Sequence, residues 1–211
     1  MAVITISRQY GSGGSDVARL VASRLGWTLI DNEFVDRVAE RAGLSAEEIA
    51  QQQERVPSLI ERLARALTVS SPEIFAAAAD PQAALPPEDR IFRLTEAVIA
   101  EAVQQDHVVM VGRGAQAYLA ERAETLHVYV MAPRDQRVAA VIRRLGVSRE
   151  DAEAELERAD EGRRRYVKTH YGRHWEDAAN YDLALNSAQF GYEGCADLIV
   201  LAARAAGLAS R

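Results

Sequence analysis

Residues 4–15 read ITISRQYGSGGS, and the fold follows from how this stretch is parsed. An apolar run comes first, then a glycine-rich turn, then the start of an amphipathic helix with Val17, Leu20, Val21 and Leu25 on one face. This is the geometry of a P-loop, in which backbone N–H groups and a helix N-terminus cradle phosphate. Set against G-x-x-x-x-G-K-[ST], residues 8–15 match at Gly13 and Ser15. Arg8 stands in the place of the first glycine and Gly14 in the place of the lysine.

The turn has two readings. Its glycines either permit close packing of strand on helix, or let a row of N–H groups form an anion nest. Gly11, Gly13 and Gly14 can all adopt positive φ, and a nest needs no lysine to hold phosphate. What lysine adds is a charge on the phosphates that react. Arg8 is the candidate substitute, since a guanidinium can grip phosphate bidentately; the alternative is that it binds a local carboxylate.

Outward from the turn, short apolar runs alternate with helical patterns. Strands are expected at 3–7, 27–31, 107–111, 125–131 and 183–186, and helices at 15–25, 33–42, 45–67, 90–105, 133–145, 148–166 and 193–206. Ser148 and Asp151 stand at capping-box positions. Such alternation implies a mainly parallel sheet covered on both faces. Residues 68–89 are rich in Ala and Pro with little periodicity, and read as a mobile insertion within a single domain spanning 1–211.

The chain has 211 residues, 48% hydrophobic and 27% charged, with net charge -6, which fits one well-filled core. An acidic balance argues against broad nucleic-acid binding, whereas the arginines between Arg134 and Arg173 suit a compact polyanion. No apolar run approaches the ~20 residues of a membrane span, and no leader pattern is evident, so a cytoplasmic location is expected. Cys195 is the single cysteine and is expected to be packed rather than reactive.

Four segments together resemble the cytidylate kinase-like family, relatives of bacterial cytidylate kinase among the P-loop nucleoside-monophosphate kinases. They are ITISRQYGSGGS, the strand ending LIDNEFVDR, VVMVGRGAQAYL, and HVYVMAPRDQRVAAVIRR with ERADEGRRRYVKTHYG and NYDLALNS. The resemblance implies a five-stranded parallel sheet of order 2-3-1-4-5, flanked by helices and carrying a helical lid at about 148–175. Cytidylate kinases carry the P-loop lysine and a D-G-R motif; here Gly14 and Val111-Gly112-Arg113 stand instead, so the magnesium-orienting aspartate is missing.

The implied activity is phosphoryl transfer from ATP to a nucleoside monophosphate, CMP or dCMP first. In that reading Gly11, Ser12, Gly13, Gly14 and Ser15 hold the donor phosphates, Ser15 contacts Mg2+, and Arg8 replaces the lysine. Arg113, beyond a strand's carboxyl end, faces the acceptor phosphate; a salt bridge between loops is the alternative. Asp31 recognises the acceptor or caps the next helix, and Asp160 joins the substrate site. Arg158, Arg163 and Arg165 close over the reaction from the lid. The rivals are a nucleotide- or phosphate-binding regulatory module without turnover, and a kinase of a non-nucleotide small molecule. The partner is a small nucleotide, and helices 45–67 and 90–105 leave room for a homodimer surface.

Overall fold

A computed structural model describes residues 2–31, 87–105 and 107–210. The helices expected at 33–42 and 45–67, and most of the insertion expected at 68–89, lie outside the described residues. The chain divides into two compact units, Ile30–Asp106 and Ala2–Leu29 with His107–Arg211.

Among the described residues the strands are β1 (Val3–Arg8), β2 (Thr28–Ile30), β3 (Val108–Val111), β4 (Thr125–Met131) and β5 (Leu183–Asn186). They form one five-stranded sheet of order β2-β3-β1-β4-β5. β1 pairs in parallel with β3 and β4, and β4 with β5. The helices are α1 (Gly14–Leu25), α2 (Pro87–Ala102), the single turn α3 (Ala115–Tyr118), α4 (Arg134–Leu145), α5 (Arg149–Tyr171) and α6 (Ser187–Ala205). None of the described helices is long and apolar enough to cross a membrane. In the first unit α2 buries Thr95, Val98, Ile99 and Ala102.

β1 is buried on both faces, as a central parallel strand must be. On one face Ile4 and Ile6 join Val128 and Val130 of β4, and α1 covers them with Val17 and Val21 while α6 adds Cys195, Ile199 and Ala203. Burial there pushes the Cys195 thiol upward in pKa, as expected of a packed cysteine. On the other face Tyr129 of β4 packs against Val167 of α5 and Trp175. α4 and α5 form a hairpin closed by Val138, Val141, Ala152 and Leu156.

Two helices run further than their sequence pattern suggests. Ser148 caps α5 as expected, accepting from the Asp151 N–H at 3.1 Å, but the helix continues to Tyr171 and stops at Gly172. α6 begins at Ser187, where Asn186 Oδ1 accepts from the Ala188 N–H at 3.0 Å. A non-helical Gly191 (φ 68, ψ 175) kinks it, which hid its first turn from a periodicity argument.

On the second sheet face Thr5 and His127 are matched with polar partners, whereas the buried Tyr129 hydroxyl has none among the described residues. Thr5 Oγ1 and His127 Nδ1 lie 2.7 Å apart, and Asp182 Oδ2 accepts from the His127 N–H at 2.7 Å. His127 is 8% exposed, and burial lowers its pKa below the usual imidazole value, against the pull of Asp182. The folded chain therefore binds this proton less well than the unfolded chain does. The stability it contributes is intact above the unfolded value of about 6.5 and shrinks as pH falls below it. Urea unfolding at pH 7.5 and 5.5 should show a larger loss for wild type than for His127→Gln; equal losses would contradict this.

Candidate active site at the glycine-rich turn

The turn between β1 and α1 is held from three sides. Gln9 N–H donates to the Val130 carbonyl at 3.0 Å, and Gln9 Oε1 accepts from the Ala132 N–H at 3.2 Å. Ser12 is turned inward: its N–H donates to the Gln9 carbonyl, and its hydroxyl to the Gln9 and Val130 carbonyls at 2.8 and 3.1 Å. Ser187 Oγ donates to the Ser12 carbonyl at 2.7 Å. Ser12, expected to hold phosphate, thus spends its donors on keeping the loop in shape.

What remains open is the row of donors around it. The N–H groups of Gly11, Gly13, Gly14 and Ser15 have no acceptor among the described residues, and no side chain caps α1. The Ser15 hydroxyl also has no partner there. Gly11 (φ 78) and Gly13 (φ 76) supply the left-handed conformations that curve the chain into a concave nest. Neither tolerates a side chain. A Cβ on Gly11 would lie 2.8 Å from the Arg137 carbonyl oxygen, and one on Gly13 would overlap the Tyr192 ring. The residues are those a triphosphate and its magnesium need: open N–H donors, the positive end of a twelve-residue helix, and a free hydroxyl.

Arg8 explains why position 14 is glycine. Its side chain leaves the end of β1 and passes directly across Gly14, where any Cβ would overlap the Arg8 Cβ and come within 2.8 Å of its Cγ. The guanidinium then lies against Gly112, where a Cβ would displace it and where the backbone (φ 69) disfavours any side chain. One arginine thus spans the glycine-rich turn and the Gly112-Arg113-Gly114 turn after β3. All three residues of that second turn have positive φ, 69, 52 and 70. For Arg113 this is an uncommon backbone state of the kind that collects at functional sites. The Tyr166 and Tyr171 rings of α5 pack onto Gly114. Val111, in the place of the kinase aspartate, is 2% exposed and sits in the core beneath α1.

The lid residues separate. Asp160 is 2% exposed, and both its oxygens are used within the protein. Oδ1 accepts from the Tyr10 N–H at 2.8 Å and from Arg163 Nη1 at 3.0 Å, and Oδ2 accepts from Arg137 Nη1 at 2.7 Å. Asp160 is therefore a positioning residue: it ties α5 to the glycine-rich turn rather than presenting atoms to a ligand. Arg137, 8% exposed, completes the tie by donating to the Ala132 and Tyr10 carbonyls. Arg163 lies over the rings of Tyr10 and Trp175, at 5.6 and 6.0 Å, and burial lowers its pKa against the pull of Asp160.

Arg158 and Arg165 do not join Arg163. At 100° per residue Arg165 projects about 200° from Arg163, and Arg158 shares the side of Arg165. The Arg158 side chain is 76% exposed and paired with Glu155 at 2.6 Å. Asp31 directly follows β2, at a strand's carboxyl end. Sequence reasoning missed Arg137 and Tyr10. The available signal was an arginine four residues before Val141, within the apolar stripe of α4.

The sequence profile of the cytidylate kinase-like family matches residues 3–189. The chain belongs to that family. It is 28% identical over 200 residues to a cytidylate kinase of Archaeoglobus fulgidus, covering 94% of this chain and 93% of that one. It is 27% identical over 194 residues to a cytidylate kinase of Thermococcus kodakarensis, covering 91% and 82%. Among solved structures it is similar to an uncharacterized protein from Eubacterium ventriosum, with TM-score 0.66, 19% identity and coverage of 97% and 99%. It is also similar to a shikimate kinase from Bacteroides thetaiotaomicron, with TM-score 0.54, 12% identity and coverage of 96% and 98%. Family and fold are those of the P-loop kinases.

Removing one partner of a buried ion pair leaves an uncompensated charge, at a cost of about 3–5 kcal/mol. Asp160→Ala should be destabilised by that order in urea unfolding, with Asp160→Asn less affected. A loss below about 1 kcal/mol for Asp160→Ala, the level of an exposed pair, would contradict the tie.

Proposed function

We propose that this chain is a cytoplasmic nucleotide kinase that moves a phosphoryl group from ATP to a nucleoside monophosphate, with CMP and dCMP the first acceptors to test. The observation that carries the reading is the course of Arg8. Its stem occupies the space above Gly14, and its cation lies against Gly112, beside Arg113. A fixed positive charge thereby stands between a nest built for donor phosphates and the turn bearing the arginine assigned to the acceptor. The archaeal relatives named cytidylate kinase supply the acceptor class.

ATP with its magnesium supplies the transferable phosphoryl group, and Ser15 is the residue offered to the metal. The N–H groups of Gly11, Gly13, Gly14 and Ser15 bind and orient the phosphates. Arg8 stabilises negative charge that builds between donor and acceptor, in place of the usual lysine. Arg113 grips the acceptor phosphate through its two-pronged head. Arg163, tied to Asp160 and packed on Tyr10, brings lid charge to the turn. No general base is required, because an acceptor phosphate is already ionised.

The burial of Val111, where the kinases carry an aspartate, favours a second reading: a nucleotide-binding module without turnover. ADP release with ATP and Mg2+ against a panel of nucleoside monophosphates separates the two. The expected result is turnover with CMP or dCMP, reduced about 10²–10³-fold by Arg8→Ala and by Arg113→Ala, the size of loss when an oriented donor is removed. Saturable ATP binding with no turnover for any acceptor would instead support the module.

A further inference from the structure

Arg164 and Arg165 of α5 line a cavity away from the glycine-rich turn. It measures about 440 Å3 and lies between the second half of α5 and residues 173–176, sharing no lining residue with the turn. Four cationic side chains line it, Arg164, Arg165, Lys168 and Arg173, against two carboxylates, Glu161 and Glu176. Trp175, 5% exposed, closes one wall.

Both carboxylates are taken by one arginine, and the Gln9 side chain of the glycine-rich turn also reaches Glu176. Arg164 holds Glu176 through Nε at 2.9 Å and Nη2 at 3.1 Å, and Glu161 through Nη1 at 3.2 Å. The bond to Glu176 raises the Arg164 pKa and lowers that of Glu176. The other three cations are left with little. The Arg165 side chain has no hydrogen-bond or ion-pair partner among the described residues. Lys168 Nζ donates to the Gly172 carbonyl at 3.3 Å. Arg173 reaches Asn180 Oδ1 at 3.2 Å and Glu121 at 3.3 Å, the latter a side chain 94% exposed.

A solvated charged helix places its arginines on a convex face and pairs them along the helix, as Arg158 does with Glu155. Here the under-neutralised cations instead surround a concavity backed by an aromatic wall. Three flexible cations around one cavity repel one another and are reconciled by a multiply charged, oxygen-rich ligand.

We propose that this cavity is a second anion site, taking a phosphate-bearing ligand on Arg165, Lys168 and Arg173. The phosphate belongs either to a free inorganic anion or to a nucleotide; the chemistry of recognition is the same.

The test is calorimetric titration of the full chain with inorganic pyrophosphate, followed by CMP. Wild type should bind pyrophosphate at a site that Lys168→Glu weakens by about tenfold or more, while Arg8→Ala leaves that site intact. Arg165→Gln should weaken the same site, and circular-dichroism melting shows whether each variant is folded. Binding abolished by Arg8→Ala but unchanged in folded Lys168→Glu and Arg165→Gln would overturn the proposal, as would no binding of either probe. Loss of Arg8-dependent binding alone would count against the kinase reading and leave this site standing. Pyrophosphate binding sensitive to Lys168→Glu identifies a free anion as sufficient; CMP binding alone with that sensitivity assigns the phosphate to a nucleotide.

Discussion

Excluded volume around Arg8 is the constraint on which the rest of the site depends. The side chain crosses Gly14 so closely that no Cβ fits there, and its head lies against Gly112, whose left-handed backbone already favours glycine. The missing lysine and the added arginine are therefore one structural choice. A lysine at 14 and an arginine at 8 would compete for the same space. The chain keeps a cation near the open N–H donors of the turn but delivers it from the strand side rather than from the helix. This gives the two glycine-containing turns a shared element.

The tie centred on Asp160 is the second constraint. A carboxylate this deeply buried persists only if fully paired, and here it satisfies a backbone N–H and two guanidiniums. The Tyr10 ring beneath Arg144 and Arg163 adds cation–π attraction at 4.8 and 5.6 Å. Turn, α4 and α5 are thereby joined by charge rather than by apolar packing alone. A phosphate site needs its N–H groups held in place before the ligand arrives, because disorder there would subtract directly from binding.

Much of this fold was legible because its signals are local. Apolar runs ending in glycine marked β1 and β3, Ser148 marked the start of α5, and alternation with helices pointed to a parallel sheet. The glycine-rich turn could be read as a nest from its spacing. The site's wiring was not legible in the same way. Tyr10 and Asp160 are 150 residues apart, and Arg137 meets Asp160 only when α4 and α5 are folded together. The grouping of Arg158, Arg163 and Arg165 failed on helical phase, since an unbroken α5 carries Arg163 to one side and the other two away. The reason for Gly14 was equally hidden: a glycine's neighbour in space cannot be read from its neighbours in sequence.

The exchange between positions 8 and 14 is tested most directly by a double-mutant cycle in triphosphate affinity, measured by calorimetry on Arg8→Gly, Gly14→Lys and the two combined. If the residues form one unit, each single change weakens binding, because one removes the cation and the other forces two side chains into the same space. The double variant, which restores the standard arrangement, then recovers most of the loss. Additive losses in the double variant, or a Gly14→Lys protein that binds tighter than wild type, would contradict the account.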